Sequence, residues 1–172
     1  MGNRGAVVAV DVHPGKLRLV QQAAHRLGIH IITAEAGDGR EMAGRLAAAD
    51  RVLVDAPCSG LGVLRRRPDL RWRKSPSELA GLARLQGELL AAAATLTRPG
   101  GTLVYSTCTT EPEETTGVVQ AFLAGRDDFA SVELGTPFVP ADGPGGYLYP
   151  HRHGTDGFYV ARLQKMNRQQ GI

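Results

Sequence analysis

The sequence predicts an α/β fold in which helices cover both faces of a mostly parallel β-sheet. Short β-branched runs alternate along the chain with alanine- and leucine-rich segments whose apolar residues recur at helical spacing. The 172 residues suffice for one domain with a sizeable core, and 42% hydrophobic with 22% charged residues is typical of a soluble globular protein. We therefore expect one domain over residues 1–164 and a polar tail over residues 165–172.

The amino-terminal part of the chain alternates strand and helix patterns. Ala6–Asp11 reads AVVAVD and predicts a short buried strand, and Gly15–Leu27 has the apolar spacing of a helix. Gly28 is expected to end this helix, because glycine readily adopts the left-handed conformation found after helix carboxyl termini. Further strands are predicted at His30–Ala34 and Arg51–Asp55.

The same alternation continues in the rest of the chain. Ser77–Leu96 predicts a long helix, and Gly101–Ser106 predicts the strand that follows it. Strands separated by helices in this way are joined by crossover connections, which place them parallel in the sheet. The remaining predicted elements are a helix at Glu111–Leu123, strands at Ser131–Leu134 and Gly157–Leu163, and a glycine- and proline-rich loop at Pro137–Pro150.

The composition excludes several classes of protein. No apolar run approaches the roughly 20 residues that a membrane-spanning helix requires, and Met1–Gly5 lacks the apolar core of a signal peptide, so a cytoplasmic location is expected. Cys58 and Cys108 are the only cysteines, so neither a disulfide framework nor a four-cysteine zinc site can form. No metal site is predicted, and both thiols are expected to be free.

Polar residues follow several of the predicted strands, where open parallel sheets bind their ligands. Asp11 and Asp55 end two strands, Asp38 lies just after another, and Cys108 follows the strand GTLVYS. A carboxylate at the Asp11 position is suited to accept hydrogen bonds from ribose hydroxyls, although it is equally suited to cap the following helix. Asp38, in an Asp-Gly pair, has both a ligand-binding and a simple turn interpretation.

The two cysteines occupy comparable places after two strands. Cys58 lies in DAPCSG, where Pro57 stiffens the chain and Gly60 permits a sharp bend, and Cys108 lies in YSTCTT. An isolated cysteine is often only a small buried apolar residue. Two thiols at the same edge of a sheet, flanked by hydroxyl residues, instead predict a shared cleft in which a thiolate acts as nucleophile.

Three segments resemble those of one enzyme family. VDAPCSGLGVLRRRPDLRW, GGTLVYSTCTTEPEE and HGTDGFYVARL occur in this order, and the similarity runs from about Ala6 to Leu163. Together they resemble the RNA cytosine-5 methyltransferases of the Sun/Fmu and NOL1/NOP2 family, most closely the bacterial enzymes that act on small-subunit (16S) ribosomal RNA. The resemblance implies a Rossmann-like class I methyltransferase fold, S-adenosylmethionine as cofactor and RNA as substrate.

The resemblance also implies a role for each candidate residue. Asp11 matches the acid that binds the ribose of the cofactor, Asp38 matches the acid near its adenine, and Asp55 matches the acid of the DAPC motif, next to both cofactor and pyrimidine. Cys108 matches the nucleophile that adds to carbon 6 of cytosine, which makes carbon 5 reactive towards the methyl group. Cys58 matches the cysteine that assists release of the methylated product.

A basic segment follows the first cysteine motif. Its basic residues surround one tryptophan and are Arg65, Arg66, Arg67, Arg71, Arg73 and Lys74. Guanidinium groups beside an exposed aromatic ring are suited to phosphate contact and base stacking on RNA. The alternative is a solvated loop that Trp72 anchors to the core.

Two other functions fit the same sequence. In a DNA cytosine-5 methyltransferase the cysteine of the PC pair, Cys58, would be the nucleophile instead of Cys108. A non-catalytic RNA-binding or assembly fragment would keep the fold without binding the cofactor.

One motif of the family is not found in the sequence. The resemblance calls for a glycine-rich loop, similar to PGGKT, after a strand that precedes Ala6, whereas the similar string GPGG lies at residues 143–146. We therefore expect the sheet to lack its first strand, which belongs between Ala6–Asp11 and Arg51–Asp55. Self-association, direct pairing of these two segments, or a missing amino-terminal segment would then complete the sheet.

Overall fold

The computed structural model describes residues 1–72 and 75–167. The chain forms two compact units, Met1–Leu46 and Ala47–Ile172, and each contains its own β-sheet. The α/β class predicted from the sequence is confirmed. Within the described residues, no helix is long and apolar enough to cross a membrane.

The first unit is a single β-α-β motif. Strand β1 (Val7–Asp11) pairs in parallel with β2 (Ile32–Ala36), and helix α1 (Pro14–Arg26) connects them. The second strand begins two residues later than predicted, because the backbone N–H of His30 is bonded at 3.0 Å to the side chain of Asn3 and is not available to the strand ladder.

The second unit contains a six-stranded mixed sheet in the order β3-β4-β8-β7-β6, with β5 also paired to β8. Only the β3–β4 pair is parallel, and the pairs that β8 makes with β4, β5 and β7 are antiparallel, as is the β6–β7 pair. The strands are β3 (Ala49–Asp55), β4 (Thr97–Thr107), β5 (Phe129–Val132), β6 (Val139–Pro140), β7 (Gly146–Leu148) and β8 (Phe158–Lys165).

A long helix, α2 (Pro76–Leu96), connects β3 to β4 and packs against both strands. It begins with a capping box in which the side chain of Ser75 accepts from the N–H of Glu78 and the Glu78 carboxylate accepts from the N–H of Ser75. The connection therefore has the crossover form that parallel strands require.

The helix predicted at Glu111–Leu123 is interrupted. Pro112–Glu114 forms a 3-10 turn, and α3 starts only at Thr116 and ends at Ala124. The break lies at Thr115, whose φ of −125° and ψ of −103° are not helical and whose hydroxyl donates to Glu111 O at 2.8 Å. This break places Glu114 in the interior of the protein.

The predicted loop Pro137–Pro150 contains regular structure. A short hairpin, β6–β7, forms within it, and a four-residue helix, α4 (Pro150–His153), begins at its end. Pairing of β7 with β8 buries Tyr147, and this contact stabilises strand structure where the glycine and proline content predicts none. The GPGG string leads into β7 rather than into a helix.

The core of the second unit lies on one face of its sheet. Fully buried residues include Leu103 and Tyr105 on β4, Tyr159 on β8 and Leu90 on α2, and the two tyrosine rings meet edge to face at 6.2 Å. On the opposite face of β3, Leu53 is 67% exposed. That face is therefore not fully covered, in contrast to the sequence prediction.

Direct pairing of Ala6–Asp11 with Arg51–Asp55, one of the alternatives expected to complete the sheet, is not found among the described residues. Among the described residues, β1 pairs only with β2, and β3 pairs only with β4. Each segment therefore has one strand partner, which lies in its own unit, and β3 is an edge strand of the second sheet.

We predict that Leu103→Ala destabilises the protein by about 2–5 kcal/mol, because it removes buried methyl groups and leaves a cavity. Leu53→Ala is the matched control, since the same change on an exposed side chain should alter the free energy of unfolding by about 0.5 kcal/mol or less. Urea unfolding followed by circular dichroism measures both. Equal losses would show that the Leu53 face is covered in solution.

Candidate active site

The two cysteines meet because strands β3 and β4 pair in parallel. The register places Asp55 opposite Ser106, and the N–H of Ala56 extends the ladder to Ser106 O at 2.9 Å. The two chain segments therefore leave the sheet side by side. The Sγ atoms of Cys58 and Cys108 lie 3.2 Å apart, and both side chains are half-buried free thiols.

The contact between the thiols makes them chemically unequal. The hydrogen bond from Cys58 lowers the pKa of Cys108 from 9.0 to about 7, although burial and the nearby carboxylates of Asp55 and Glu114 oppose the shift. The same hydrogen bond, together with burial, raises the pKa of Cys58 well above its ordinary range. With Cys58 as the hydrogen-bond donor, Cys108 is the thiol that ionises more readily.

Asp55 lies at the carboxyl end of β3, beside both cysteine segments. Its Oδ1 atom accepts a hydrogen bond from the Ser106 hydroxyl at 3.0 Å, and its side chain is exposed. The structure therefore brings together three of the residues to which the sequence assigned roles, Asp55, Cys58 and Cys108.

The third sequence motif joins the other two at a glycine. The N–H of Gly62 donates to Cys108 O at 3.0 Å, and Gly62 O accepts from the N–H of Gly157 at 2.8 Å. A Cβ atom at Gly62 would collide with the carbonyl of Gly157 and lie 2.8 Å from that of Cys108. Only glycine permits this close approach of the three segments.

A cavity of about 430 Å³ opens at the thiols, and its wall includes Arg66, Arg67 and Asp156. Asp156 binds Arg65 at 2.5 Å and Arg66 at 3.2 Å, and the guanidinium groups lower the pKa of its carboxyl. The basic segment is thereby attached beside the cavity.

The end of the basic segment is solvent-exposed. Trp72 is 84% exposed, so the alternative in which it anchors the loop to the core is wrong. Arg71 is also exposed. The predictions for Arg73 and Lys74 lie outside the described residues.

The other two predicted ligands, Asp11 and Asp38, belong to the first unit. They follow the paired strands β1 and β2 at the same end, and Gly37 N donates to Asp11 O at 3.1 Å. The Asp11 carboxylate accepts from the N–H of His13 at 2.8 Å and pairs with Lys16 at 3.3 Å.

Asp38 makes local contacts as well. Its carboxylate accepts from the N–H and the guanidinium of Arg40, and these hydrogen bonds lower its pKa to about 2. The turn interpretation of Asp38 therefore describes real contacts, whereas Asp11 does not cap α1, because its carboxylate accepts from the N–H of His13, the N-cap residue. Both carboxylates keep further lone pairs for a ligand.

Sequence reasoning missed three residues of the site: Gln86, Glu114 and Asp156. The signal for Gln86 was a polar residue among the alanines and leucines of α2, a position that usually packs against the core. Glu114 and Asp156 lie within two of the three motifs, but no feature of the sequence indicates their roles. No cluster of three or more metal-binding side chains occurs in the part of the chain that the structure describes.

The family model for the 16S rRNA methyltransferases RsmB/F matches residues 1–164. This chain belongs to that family. The resemblance expected from the three motifs is confirmed, and the RsmB/F match extends over almost all of the described residues.

Curated relatives of this RsmB/F chain carry matching names. It is 43% identical over 175 residues to the probable ribosomal RNA small subunit methyltransferase B of Bacillus subtilis, covering 96% of this chain and 39% of the relative. It is also 43% identical over 161 residues to the ribosomal RNA small subunit methyltransferase B of Salmonella typhi, covering 92% of this chain and 36% of that relative. The chain thus spans less than two-fifths of the length of these relatives.

Solved structures share the fold. The protein PH0851 superposes with a TM-score of 0.90 at 36% identity, covering 95% of this chain and 38% of that one. NSun6 from Pyrococcus horikoshii, crystallised with SFG, gives a TM-score of 0.83 at 34% identity, covering 96% of this chain and 42% of that one. These matches confirm the Rossmann-like methyltransferase fold.

We predict that Cys58→Ala raises the pH at which Cys108 becomes reactive, because it removes the thiol that stabilises the Cys108 thiolate. A one-unit rise in pKa lowers the thiolate fraction at pH 7 from about one half to about one tenth. The rate of iodoacetamide labelling of Cys108, followed from pH 5 to 10 by peptide mass spectrometry, measures the midpoint. Cys58→Ser, which keeps a donor, should shift it less, and an unchanged midpoint in Cys58→Ala contradicts the prediction.

Proposed function

We propose that this chain carries the catalytic part of an S-adenosylmethionine-dependent methyltransferase that modifies carbon 5 of a cytosine in ribosomal RNA. The observation that carries the proposal is the 3.2 Å contact between two thiols of opposite pKa shift. Membership of the RsmB/F family supports methyl transfer to ribosomal RNA. Because the chain spans less than two-fifths of the length of these relatives, the activity of the whole relatives is a proposal for this chain.

In the proposed reaction, the Cys108 thiolate adds to carbon 6 of cytosine and forms a carbon–sulfur bond. The electron pair released towards carbon 5 would then allow that carbon to take the methyl group of the sulfonium cofactor, whose methyl–sulfur bond would break to leave a neutral thioether. Loss of the carbon 5 proton to a base and cleavage of the carbon–sulfur bond restore the aromatic ring and free Cys108. Cys58, next to the bond that must break, is assigned to this release step.

Asp55 is assigned to hold the pyrimidine. Its exposed carboxylate lies beside the thiols and can accept a hydrogen bond from the amino edge of the ring, which orients carbon 6 towards Cys108. By the family resemblance, the same carboxylate is also assigned to the cofactor.

The described carboxylates fit the cofactor expected for the family. S-adenosylmethionine supplies an electrophilic methyl group when bound. Asp11 and Asp38, at one end of the β1–β2 pair, offer acceptor oxygens for ribose hydroxyls and for the adenine amino group. We assign the ribose to Asp11 and the adenine side to Asp38.

The basic segment is assigned to RNA. Arg66 and Arg67 line the cavity, and the exposed ring of Trp72 is available for base stacking. Asp156 pairs with the Nε atoms of Arg65 and Arg66 and so orients both guanidinium groups. Their other N–H groups remain available as donors to phosphate.

Membership of the RsmB/F family favours this reaction over that of a DNA cytosine-5 methyltransferase, in which Cys58 would attack. We predict that Cys58→Ser accumulates a covalent protein–RNA adduct with a cytosine-containing ribosomal RNA fragment and S-adenosylmethionine, because release is blocked. Cys108→Ser should form none. Denaturing gel electrophoresis of the full-length protein with labelled RNA measures the adduct.

The two other outcomes of this experiment are equally informative. An adduct in Cys108→Ser but not in Cys58→Ser would exchange the roles of the thiols. The absence of an adduct in every variant, with RNA binding intact, would favour a non-catalytic RNA-binding protein.

We predict that replacing Arg65, Arg66 and Arg67 together with alanine weakens RNA binding and flattens its salt dependence. Each lost phosphate contact lowers the slope of log affinity against log salt by about 0.7 for single-stranded RNA. Fluorescence anisotropy across a salt series measures the slope. A control that removes the same charge from exposed arginines elsewhere replaces Arg18, Arg26 and Arg84. Equal slopes in the two triple variants would refute the assignment.

A further inference from the structure

Two buried side chains hold the peptide groups on both sides of Cys58. The side-chain amide of Gln86 donates to Pro57 O at 2.9 Å, and Oε1 of Glu114 accepts from the backbone N–H of Ser59 at 2.9 Å. The Gln86 amide also donates to the same carboxyl oxygen at 2.9 Å. The two side chains therefore form one hydrogen-bonded pair around the cysteine.

Burying this polar pair in a hydrophobic core costs free energy. Gln86 and Glu114 are both fully excluded from solvent. Burial of an amide or carboxyl group costs free energy unless its hydrogen bonds are made. Oε2 of Glu114 is buried and has no hydrogen-bond partner among the described residues. An apolar pair would fill the same space without this cost, so packing alone does not account for the pair.

The same network reaches the second cysteine segment. The hydroxyl of Tyr105, three residues before Cys108, lies 3.1 Å from Gln86 Oε1 and donates to Glu114 O at 2.8 Å. From the other side, the Ser59 hydroxyl donates to that of Thr109 at 3.2 Å. Ser59 and Thr109, the residues that follow the two cysteines, are thus hydrogen-bonded to each other.

We propose that Gln86 and Glu114 are positioning residues that hold the Pro57–Ser59 turn so that the thiol of Cys58 meets the thiol of Cys108. Without the pair, the turn would be free to rotate, and the contact between the sulfur atoms would be lost. The catalytic consequence rests on the proposed function, whereas the geometric claim does not.

Several charged side chains lie near Cys108. The carboxylates of Asp55 and Glu114 raise its pKa, and Arg66, Arg67 and Asp156 line the cavity beside it. Removing the Glu114 charge alone would therefore lower the pKa of Cys108. Loss of the hydrogen bond from Cys58 would raise it.

The test measures the pH midpoint of Cys108 labelling by iodoacetamide, without RNA or cofactor. Gln86→Met replaces one neutral side chain with another of approximately the same shape. It should raise the pH midpoint of Cys108 labelling from about 7 by about one unit or more. Glu114→Ala should raise it despite losing a carboxylate. Glu114→Gln, which retains an acceptor for the Ser59 N–H, should leave it unchanged or lower.

The control is Thr97→Val, which breaks a buried hydrogen bond to Ala93 O in the same unit, at the end of β4 opposite to Cys108. It should destabilise the protein without moving the midpoint. A wild-type midpoint in folded Gln86→Met and Glu114→Ala overturns the proposal. Loss of folding in both also overturns it, because the pair would then serve global stability. A shift without the predicted adduct would refute only the proposed function.

Discussion

The site depends on the parallel pairing of two strands, β3 and β4. A parallel register aligns the carboxyl ends of the strands, so the segments that follow them start from the same edge of the sheet. Asp55 and Ser106 lie opposite each other, and the cysteines follow each of them within three residues. A shift of the register by two residues would move one thiol by about 7 Å and abolish the sulfur contact.

The chemistry then follows from the environment of two identical groups. Two thiols in water would titrate alike, but here one donates a hydrogen bond and the other receives it. The donor keeps its proton, and the receiver loses its proton more easily, which is the basis for proposing Cys108 as the nucleophile and Cys58 as its partner. Buried polar groups beneath the turn fix this asymmetry, because they leave the Cys58 peptide groups no freedom to rotate.

A third segment shapes the entrance to the site. The strand that begins at Phe158 is preceded by Gly157, which packs against Gly62, and by Asp156, which pairs with Arg65. The backbone contact and the ion pair act on the same stretch of chain, so the basic segment and the cysteine turn are positioned by one feature. This arrangement explains why motifs separated by about a hundred residues in sequence belong to one site.

The sequence by itself determined the α/β class, the order of strands and helices, and the family, because apolar periodicity and three ordered motifs are local properties of the chain. It also identified Cys58, Cys108 and Asp55 as residues at strand ends. Tertiary structure alone decided the antiparallel strands around β8, the break at Thr115 and the burial of Glu114. These features depend on contacts between residues distant in sequence, whose pairing and desolvation leave no periodic signal in the chain.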